Sequence, residues 1–377
     1  MKTLRLKVDT NNLEAPEARE ALDRAAAILR GGGLVALPTE TVYGLGANAL
    51  DRDAVERIFA AKSRPAWDPV IVHIASHEML SGLVEDVPDA ARKLMAAFWP
   101  GPLTLLLKRT RAVPDAVTAG RPLVGVRMPA HPVALELIRR AGAPVAAPSA
   151  NRFGHVSPTT ADHVLDDLDG RIDAVLDAGP TTRGVESTVL DPSTSPMMIY
   201  RPGAVTAEQI LEIAGPVVLF RSGEPLRETP PDAPVAALPS PGVGLRHYAP
   251  RARLVLIEAP IAELGGRLAE AARSERSERL GVMLPEGIAP AADITAKETA
   301  ATEIAATDIA AAQIYPWGNW SAPETMAREL YAGLRTLDAA GCTVILCPMP
   351  PEEGIGAAIR DRLIKAATRE LEAKARS

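Results

Sequence analysis

Four cations draw attention by where they fall in the chain. Arg127 closes an apolar run in Val124-Gly125-Val126-Arg127-Met128-Pro129, and Arg201 closes another in Ile199-Tyr200-Arg201-Pro202-Gly203. Lys62 and Arg64 lie in Lys62-Ser63-Arg64-Pro65, where a helix beginning at Asp51 runs out. Arginines at strand ends, each with a proline close behind, can point into one concavity. There the guanidinium forks bind carboxylates and phosphates. The plainer reading of Lys62 and Arg64 is that cations favour a helix C-terminus. The plainer reading of the arginines is unrelated surface charge.

Small hydroxyl-bearing turns fall near the same strand ends. Ala147-Pro148-Ser149-Ala150-Asn151 follows one apolar run, Glu186-Ser187-Thr188 precedes another, and Ser157-Pro158-Thr159-Thr160 leads into a helix. Each alone is more often a cap or a turn than a ligand site. Together they bring Ser149, Asn151, Ser157 and Ser187 to the strand ends of one sheet. A further run, Leu34 to Leu37, opens into Pro38-Thr39-Glu40-Thr41-Val42-Tyr43-Gly44-Leu45-Gly46. Such loops of hydroxyls, an acid and bare backbone at a strand end are where small ligands bind.

Other chemistries are disfavoured. No GxxxxGK[ST] occurs. Gly44 to Ala49 matches GxGxxA, with Asp68 where a ribose-binding acid could sit. However, Pro38 to Tyr43 part those glycines from the strand, and a helix precedes it. His73 and His77 have i, i+4 spacing without the glutamate of HExxH. A strand over Val70 to Ile74 takes them off a common helix face, so no metal site is expected from the histidines. Cys342 and Cys347 flank one strand and face opposite sides, so no pairing is expected. With no GxSxG elbow and no nucleophile–base pair, any catalysis must rest on positioning and charge stabilisation.

The elements that must position these residues follow from periodicity. Helices fit residues 15–30, Asp51–Lys62, Asp89–Phe98, Pro132–Ala141 and Ala161–Leu168. Strands fit Leu34–Leu37, Val70–Ile74, Leu103–Leu107, Leu123–Val126, Val145–Ala147, Ala174–Leu176, Thr188–Leu190 and Met198–Tyr200. Their irregular mixing predicts an α/β domain with a mixed sheet over residues 1–215. Prolines and glycines then crowd a linker, residues 216–252. Beyond it, strands at Leu254–Ile257, Leu280–Leu284 and Thr343–Leu346 alternate with helices at Ile261–Ala272, Pro323–Ala339 and Ile355–Ala367. That predicts a smaller Rossmann-like parallel α/β domain over 253–377. An Ala/Thr/Ile/Glu patch at 291–313 is either helix or insert.

Bulk properties agree with a soluble protein. The 377 residues are enough for more than one domain, and 47% are hydrophobic. Aromatics make up only 3%, so aliphatic side chains must fill the cores. The net charge of −6 opposes a broad nucleic-acid grip. Without an N-terminal apolar region or an 18-residue apolar run, a cytoplasmic protein is expected, neither secreted nor membrane-spanning.

Taken in order, several of these motifs form a specific set. They are Pro38 to Leu45, Lys62-Ser63-Arg64-Pro65, Pro69-Val70-Ile71-Val72-His73, Val126-Arg127-Met128-Pro129, Pro148-Ser149-Ala150-Asn151, Ser187-Thr188-Val189 and Arg201-Pro202-Gly203. The set resembles a YrdC-like domain, as in the L-threonylcarbamoyladenylate synthase family. Pro241-Gly242 and Arg246-His247-Tyr248-Ala249-Pro250 resemble the linker of that family's long, two-domain form. Ala327 to Tyr331, Leu334 to Asp338, and Arg360 to Leu363 with Ala366-Ala367 resemble its C-terminal domain.

The resemblance implies synthesis of L-threonylcarbamoyl-AMP from L-threonine, bicarbonate and ATP, with release of pyrophosphate. The product feeds threonylcarbamoyladenosine in tRNA, next to the anticodon, through a downstream threonylcarbamoyl transferase. It implies that Thr41, His73, Arg127 and Ser187, with the Ala147 backbone, hold threonine. It assigns Lys62, Arg64, Asp68, Ser149, Asn151, Ser157, Arg201, His247 and Tyr248 to ATP, with the linker closing over the nucleotide. Lys62, Arg64 and Arg127 would carry the catalytic charge. Mg²⁺ would bridge the departing phosphates, with no protein metal ligands named. No stable nucleic-acid binding is expected. Asp68 stands where many relatives carry Asn, and the 291–313 patch has no counterpart. Two other classes compete: an RNA-binding module, opposed by the acidic balance and scarce aromatics, and a carbamoyl-transfer maturation factor, opposed by the lack of CxxC pairs.

Overall fold

In a computed structural model of the chain, the described residues are 2–220, 240, 248–275, 278–288 and 312–367. The chain forms two compact units, residues 1–153 with 157–244, and residues 154–156 with 245–377.

The first unit runs β1 (Leu4–Lys7), α1 (Pro16–Arg30), β2 (Val35–Leu37), β3 (Gly44–Asn48), α2 (Arg52–Lys62), β4 (Ile71–His73), α3 (His77–Ser81), α4 (Asp89–Phe98), β5 (Leu103–Lys108), α5 (Asp115–Thr118) and β6 (Leu123–Arg127). It continues α6 (Pro132–Ala141), β7 (Val145–Ala146), α7 (Ala161–Leu168), β8 (Ala174–Asp177), β9 (Thr188–Asp191), β10 (Met197–Arg201), α8 (Ala207–Ala214) and β11 (Val217–Leu219). Its strands form one 11-stranded mixed sheet, ordered β1-β8-β2-β3-β7-β4-β6-β5-β9-β10-β11. This is the mixed α/β class expected from the sequence.

Local chemistry sets the helix ends. Pro16 lies in the first turn of α1, and Ala18, Leu22, Ala25 and Leu29 on one stripe are buried. Asp51 caps α2 by accepting from Asp53 N at 3.0 Å and Ala54 N at 3.2 Å. A reciprocal Thr206–Gln209 capping box starts α8.

Alternation along the central strands sorts the residues between two faces. Val72, Leu105, Val126 and Leu190 enter the large aliphatic core. Ile71, Leu106 and Val189 form a small apolar cluster on the opposite face. Each fully buried Leu, Ile or Val contributes about 1.5–3 kcal/mol, against about 1 kcal/mol for a typical net hydrogen bond. The aliphatic layer therefore holds the strands, and the polar residues on the other face ride on it.

The second unit contains β12 (Arg253–Ile257), α9 (Ile261–Ser274), β13 (Leu280–Glu286), β14 (Gln313–Asn319), α10 (Pro323–Ala339), β15 (Val344–Pro348) and α11 (Gly356–Ala367). Its four-stranded sheet, β12-β15-β13-β14, is parallel throughout. Cys342 and Cys347 are both free and buried.

Several elements differ from the sequence reading. Gly44 to Asn48, read as a glycine loop, is strand β3, antiparallel to β2 with Leu37 level with Gly44 and Val35 with Gly46. A Cβ on Gly46 would come within 2.8 Å of Leu37 Cδ2 and 2.9 Å of Val145 Cγ1. That glycine is required by packing between strands, not by a phosphate. Strands β1, β11 and β14 also differ from the expectation. Each carries a short or mostly exposed apolar pattern, which leaves little periodic signal. β11 lies within the segment read as linker, yet pairs with β10 in the main sheet. Pro241, Gly242, Arg246, His247 and positions 291–311 of the low-complexity patch lie outside the described residues.

Candidate active site

The site grows from one row across the sheet. His73 ends β4 and Arg127 ends β6, and the two are level in parallel register. They share the face of Ile71 by alternation. Thr104 precedes Leu105, which pairs with Val126 on β6, and Ser187 leads into β9 beside it. The Thr104 and Ser187 hydroxyls are 2.8 Å apart. Three neighbouring strands thus present an imidazole, a guanidinium and a hydroxyl at one level, and the Ser187 hydroxyl, two residues before the β9 partner of Thr104, reaches them from the side.

Arg127 is buried and serves three directions. Nε donates to Gly101 O at 3.1 Å and Nη1 donates to Thr41 Oγ1 at 3.0 Å. Nη2 forms an ion pair with Glu40 Oε1 at 2.7 Å, outside hydrogen-bond alignment. Thr41 is placed by its neighbour: the Thr39 hydroxyl donates to Val42 O at 2.6 Å and accepts from Thr41 N at 3.2 Å. His73 is also buried, and its Nδ1 has no hydrogen-bond partner among the described residues. Burial, with the nearby Arg127 charge, pulls its pKa down to about 3, so the ring is neutral near pH 7. Burial likewise lowers the pKa of His131, opposed by Glu40.

A second group surrounds Lys62 at the end of α2. Its Nζ donates to Ser149 O at 2.6 Å and to Asn151 O. The side chain is 1% exposed. Burial first, and then Arg64, pulls its pKa well below the usual lysine range. Ser63 takes a left-handed turn, φ 54°, which redirects the chain so that Arg64 follows as a second cation. Arg64 donates from Nε to Asp68 O at 3.2 Å and from Nη2 to Pro69 O at 2.8 Å, and pairs with Asp68 Oδ2 at 2.8 Å. Its guanidinium lies over the Phe153 ring, 6.0 Å from the centroid. Asp68 is fully buried against that arginine.

A third group lies at the ends of β9 and β10. Arg201 donates from Nε and Nη2 to Ser187 O at 3.1 and 2.9 Å, and from Nη2 to Ser187 Oγ at 3.0 Å. The Ser157 hydroxyl donates to Glu186 Oε1 at 2.7 Å. Gly203 allows this approach: a Cβ there would lie 2.3 Å from Thr188 N and 2.5 Å from both Glu186 O and Ser187 C.

The loop Pro38 to Tyr43 joins the three groups. Tyr43 N donates to Pro158 O at 2.9 Å and Ala150 N to Tyr43 O at 2.8 Å. Leu45 N donates to Pro148 O at 2.7 Å, Arg183 N to Glu40 O at 2.8 Å, and Ala147 N to Ile71 O at 2.9 Å. The Tyr43 hydroxyl donates to Gly179 O at 2.7 Å, and burial raises its pKa. It shapes the loop.

The structure therefore brings Thr41, Lys62, Arg64, Asp68, His73, Arg127, Ala147, Ser149, Asn151, Ser157, Ser187 and Arg201 into one unit. Tyr248 belongs to the other unit, stacked on Tyr331 with ring centroids 5.7 Å apart. His247 lies outside the described residues. The sequence reading missed Glu40, Thr104, His131 and Glu186. Thr104 is the lone hydroxyl in Leu103 to Leu107, Glu40 sits between two threonines, and Glu186 directly precedes Ser187. Those placements were the available signals.

Comparison with known proteins gives the family of the chain. Residues 27–203 match the Sua5–YciO–YrdC family, described as telomere recombination. Residues 205–368 match the threonylcarbamoyl-AMP synthase C-terminal domain. The chain is 42% identical over 369 residues to a threonylcarbamoyl-AMP synthase of Bacillus subtilis, covering 97% of this chain and 98% of the relative. It is 41% identical over 347 residues to that of Pyrococcus abyssi, covering 91% and 92%. A crystal structure of P. abyssi Sua5 complexed with L-threonine matches with a TM-score of 0.83 and 38% identity, covering 97% of this chain and 98% of that one. With both domains matched and relatives aligned over nearly their whole length, the chain belongs to the threonylcarbamoyl-AMP synthase family.

Proposed function

We propose that this protein condenses L-threonine, bicarbonate and ATP into L-threonylcarbamoyl-AMP and pyrophosphate. The observation that carries the reading is the sheet level shared by His73, Arg127 and Thr104, with the Ser187 hydroxyl 2.8 Å from that of Thr104. The threonine amine adds to bicarbonate carbon and water leaves, giving a carbamate. A carbamate oxygen then attacks the α-phosphorus, and the bond to the β-phosphate oxygen breaks. Both reacting partners are anions, so the protein must offset charge and align attack with departure.

The threonine carboxylate sits on the Arg127 fork, beside Thr41 Oγ1, Ser187 and the Ala147 backbone. The neutral His73 ring offers its unpartnered Nδ1. A pocket that hydrogen-bonds the threonine hydroxyl rejects analogues lacking it, because its own polar groups would be left unpaired. The nucleotide lies along Lys62, Arg64, Ser149, Asn151, Ser157 and Arg201. Its phosphates favour the charged form of Lys62 that burial opposes. Asp68 acts on the nucleotide through Arg64, which it holds. His247 and Tyr248 stay in the reading as linker contacts through the family resemblance alone.

Magnesium enters as part of the substrate, MgATP, since it prefers phosphate oxygens and water to an all-protein cage. Among the described residues, no cluster of three or more His, Cys, Asp or Glu could hold a metal ion. The product is an activated carbamoyl phosphate anhydride, which a transferase acting on tRNA adenosine must consume. Among the described residues no helix is long and apolar enough to cross a membrane. The test mixes protein, ATP, bicarbonate and threonine and follows pyrophosphate and an AMP adduct. Threonine-dependent formation of both is expected; pyrophosphate release that ignores threonine, or none, rejects the reading.

A further inference from the structure

We propose that Glu40 receives the ammonium group of the amino-acid substrate and so restricts the site to ligands with a free α-amine. The inference rests on the reading of Arg127 as the carboxylate site. Every residue it uses belongs to the first unit.

Glu40 is 7% exposed, and neither carboxylate oxygen has a hydrogen-bond partner among the described residues. Its Oε1 lies 2.7 Å from Arg127 Nη2, yet Nη2 also lacks a hydrogen-bond partner there, so the two touch without aligning. Arginine–carboxylate pairs commonly close as a two-bonded fork. Here the other guanidinium nitrogens are given to neighbours, Nε to Gly101 O and Nη1 to Thr41 Oγ1. Buried polar atoms without partners are costly, and these stand side by side where a ligand would complete them. The loop fixes them in place. Glu40 O accepts from Arg183 N at 2.8 Å and from Thr182 Oγ1 at 3.4 Å, while Thr39 donates to Val42 O at 2.6 Å.

The spacing suits an α-amino acid. The amine nitrogen and carboxylate carbon on one α-carbon are about 2.5 Å apart. A cation and an anion 2.7 Å apart can each take one of those two groups. Arg127 donates to the ligand carboxylate, and the ligand ammonium donates to Glu40. Each buried charge then keeps an opposite neighbour. A carboxylate arriving alone would leave two anions sharing one guanidinium. His131 lies near Glu40 but does not supply the second cation, because burial lowers its pKa and the ring is neutral near pH 7. A hydroxy acid shaped like threonine is thus excluded by charge rather than by size.

The experiment compares full-length Glu40→Gln and Glu40→Asp with the parent chain. Two ligands are used: L-threonine, and the R form of β-hydroxybutyrate, which is threonine with hydrogen in place of its amine. Threonine affinity is measured by calorimetry, the hydroxy acid by competition against threonine, and folding by thermal melting. Glu40→Gln should weaken threonine about tenfold or more, the scale of one lost charged hydrogen bond. The hydroxy acid should bind it within about twofold of parent, or more tightly. Glu40→Asp, which keeps the acid on a stem one carbon shorter, should show the same selective loss if the glutamine chain fails to fold. Equal weakening of both ligands overturns the inference, since Glu40 would then act only by holding Arg127. Parent affinity for threonine in the Glu40 variants also overturns it and leaves the threonine site standing. A parent chain that does not bind threonine overturns the reading of that site and the inference with it.

Discussion

Gly203→Ala is the sharpest test of how the site is built. The added methyl carbon would meet Thr188 N at 2.3 Å and Glu186 O and Ser187 C at 2.5 Å, where ordinary contact begins at 3.4 Å. Something must move by about 1 Å. All three obstacles are backbone, and none yields easily. Thr188 N donates to Pro102 O at 3.0 Å, Val205 N donates to Thr188 Oγ1 at 3.1 Å, and β9 is paired on both sides. Overpacking of this kind costs about 1–3 kcal/mol, or about 3–10 °C of melting temperature in a unit of this size. Function should suffer more than stability. Arg201, two residues upstream, holds Ser187 through three contacts that cannot survive such a shift. A misplacement of about 1 Å in a charge-positioning group costs about 100-fold. The assay is threonine-dependent pyrophosphate release, with differential scanning calorimetry in parallel. Parent kcat/KM together with a parent melting temperature would falsify the claim that Gly203 is set by the closeness of the 186–188 backbone.

Further predictions bear on single groups. Arg127→Lys keeps the charge but cannot serve Gly101, Thr41 and Glu40 at once; threonine affinity by calorimetry should fall at least about tenfold, and an unchanged affinity rejects the fork. His73 has a folded pKa of about 3 against 6.5 for an unperturbed histidine, so the unfolded chain binds the extra proton and stability is lost as pH falls below about 6.5. At pH 5 that loss is about 2 kcal/mol, and urea unfolding of His73→Gln should show a flatter acid limb between pH 6.5 and 4; an identical limb refutes it. Gly266 lies inside α9, and a Cβ there meets nothing within 4 Å, so Gly266→Ala should stabilise the second unit by about 0.5–1 kcal/mol in urea unfolding; a destabilised chain contradicts the packing of that helix.

Much of this architecture was legible because burial imposes periodicity. The stripe Ala18, Leu22, Ala25 and Leu29 and the run Leu103 to Leu107 announce a helix and a strand without help from neighbours. Strand β3 was not legible. Gly44 and Gly46 carry no hydrophobic signal, and their role comes from neighbours such as Leu37 and Val145 at Gly46, which reach them only in three dimensions. Among the cations, Lys62, Arg127 and Arg201 were visible because each closes an element. Their partners were less visible. Glu40 pairs with Arg127 from far along the chain, Glu186 accepts from Ser157, and neither carboxylate has a local reason to be buried. Asp68 was visible as an acid near the cations, but its buried pairing with Arg64 was not.

The row from His73 to Ser187 has a consequence for assembly of the fold. Side chains on a strand alternate with a period of two, so a slip of one residue in β6 would swing Arg127 to the opposite face. Its guanidinium would then enter the layer occupied by Val72, Leu105 and Leu190, and Val126 would lie among polar groups. Placing an unpaired charge in an aliphatic layer costs several kcal/mol, a sizeable part of a domain's total stability. The same arginine proposed to recognise the substrate thus acts as a registration pin. Chains misaligned by one position are penalised at the same residue that makes aligned ones active.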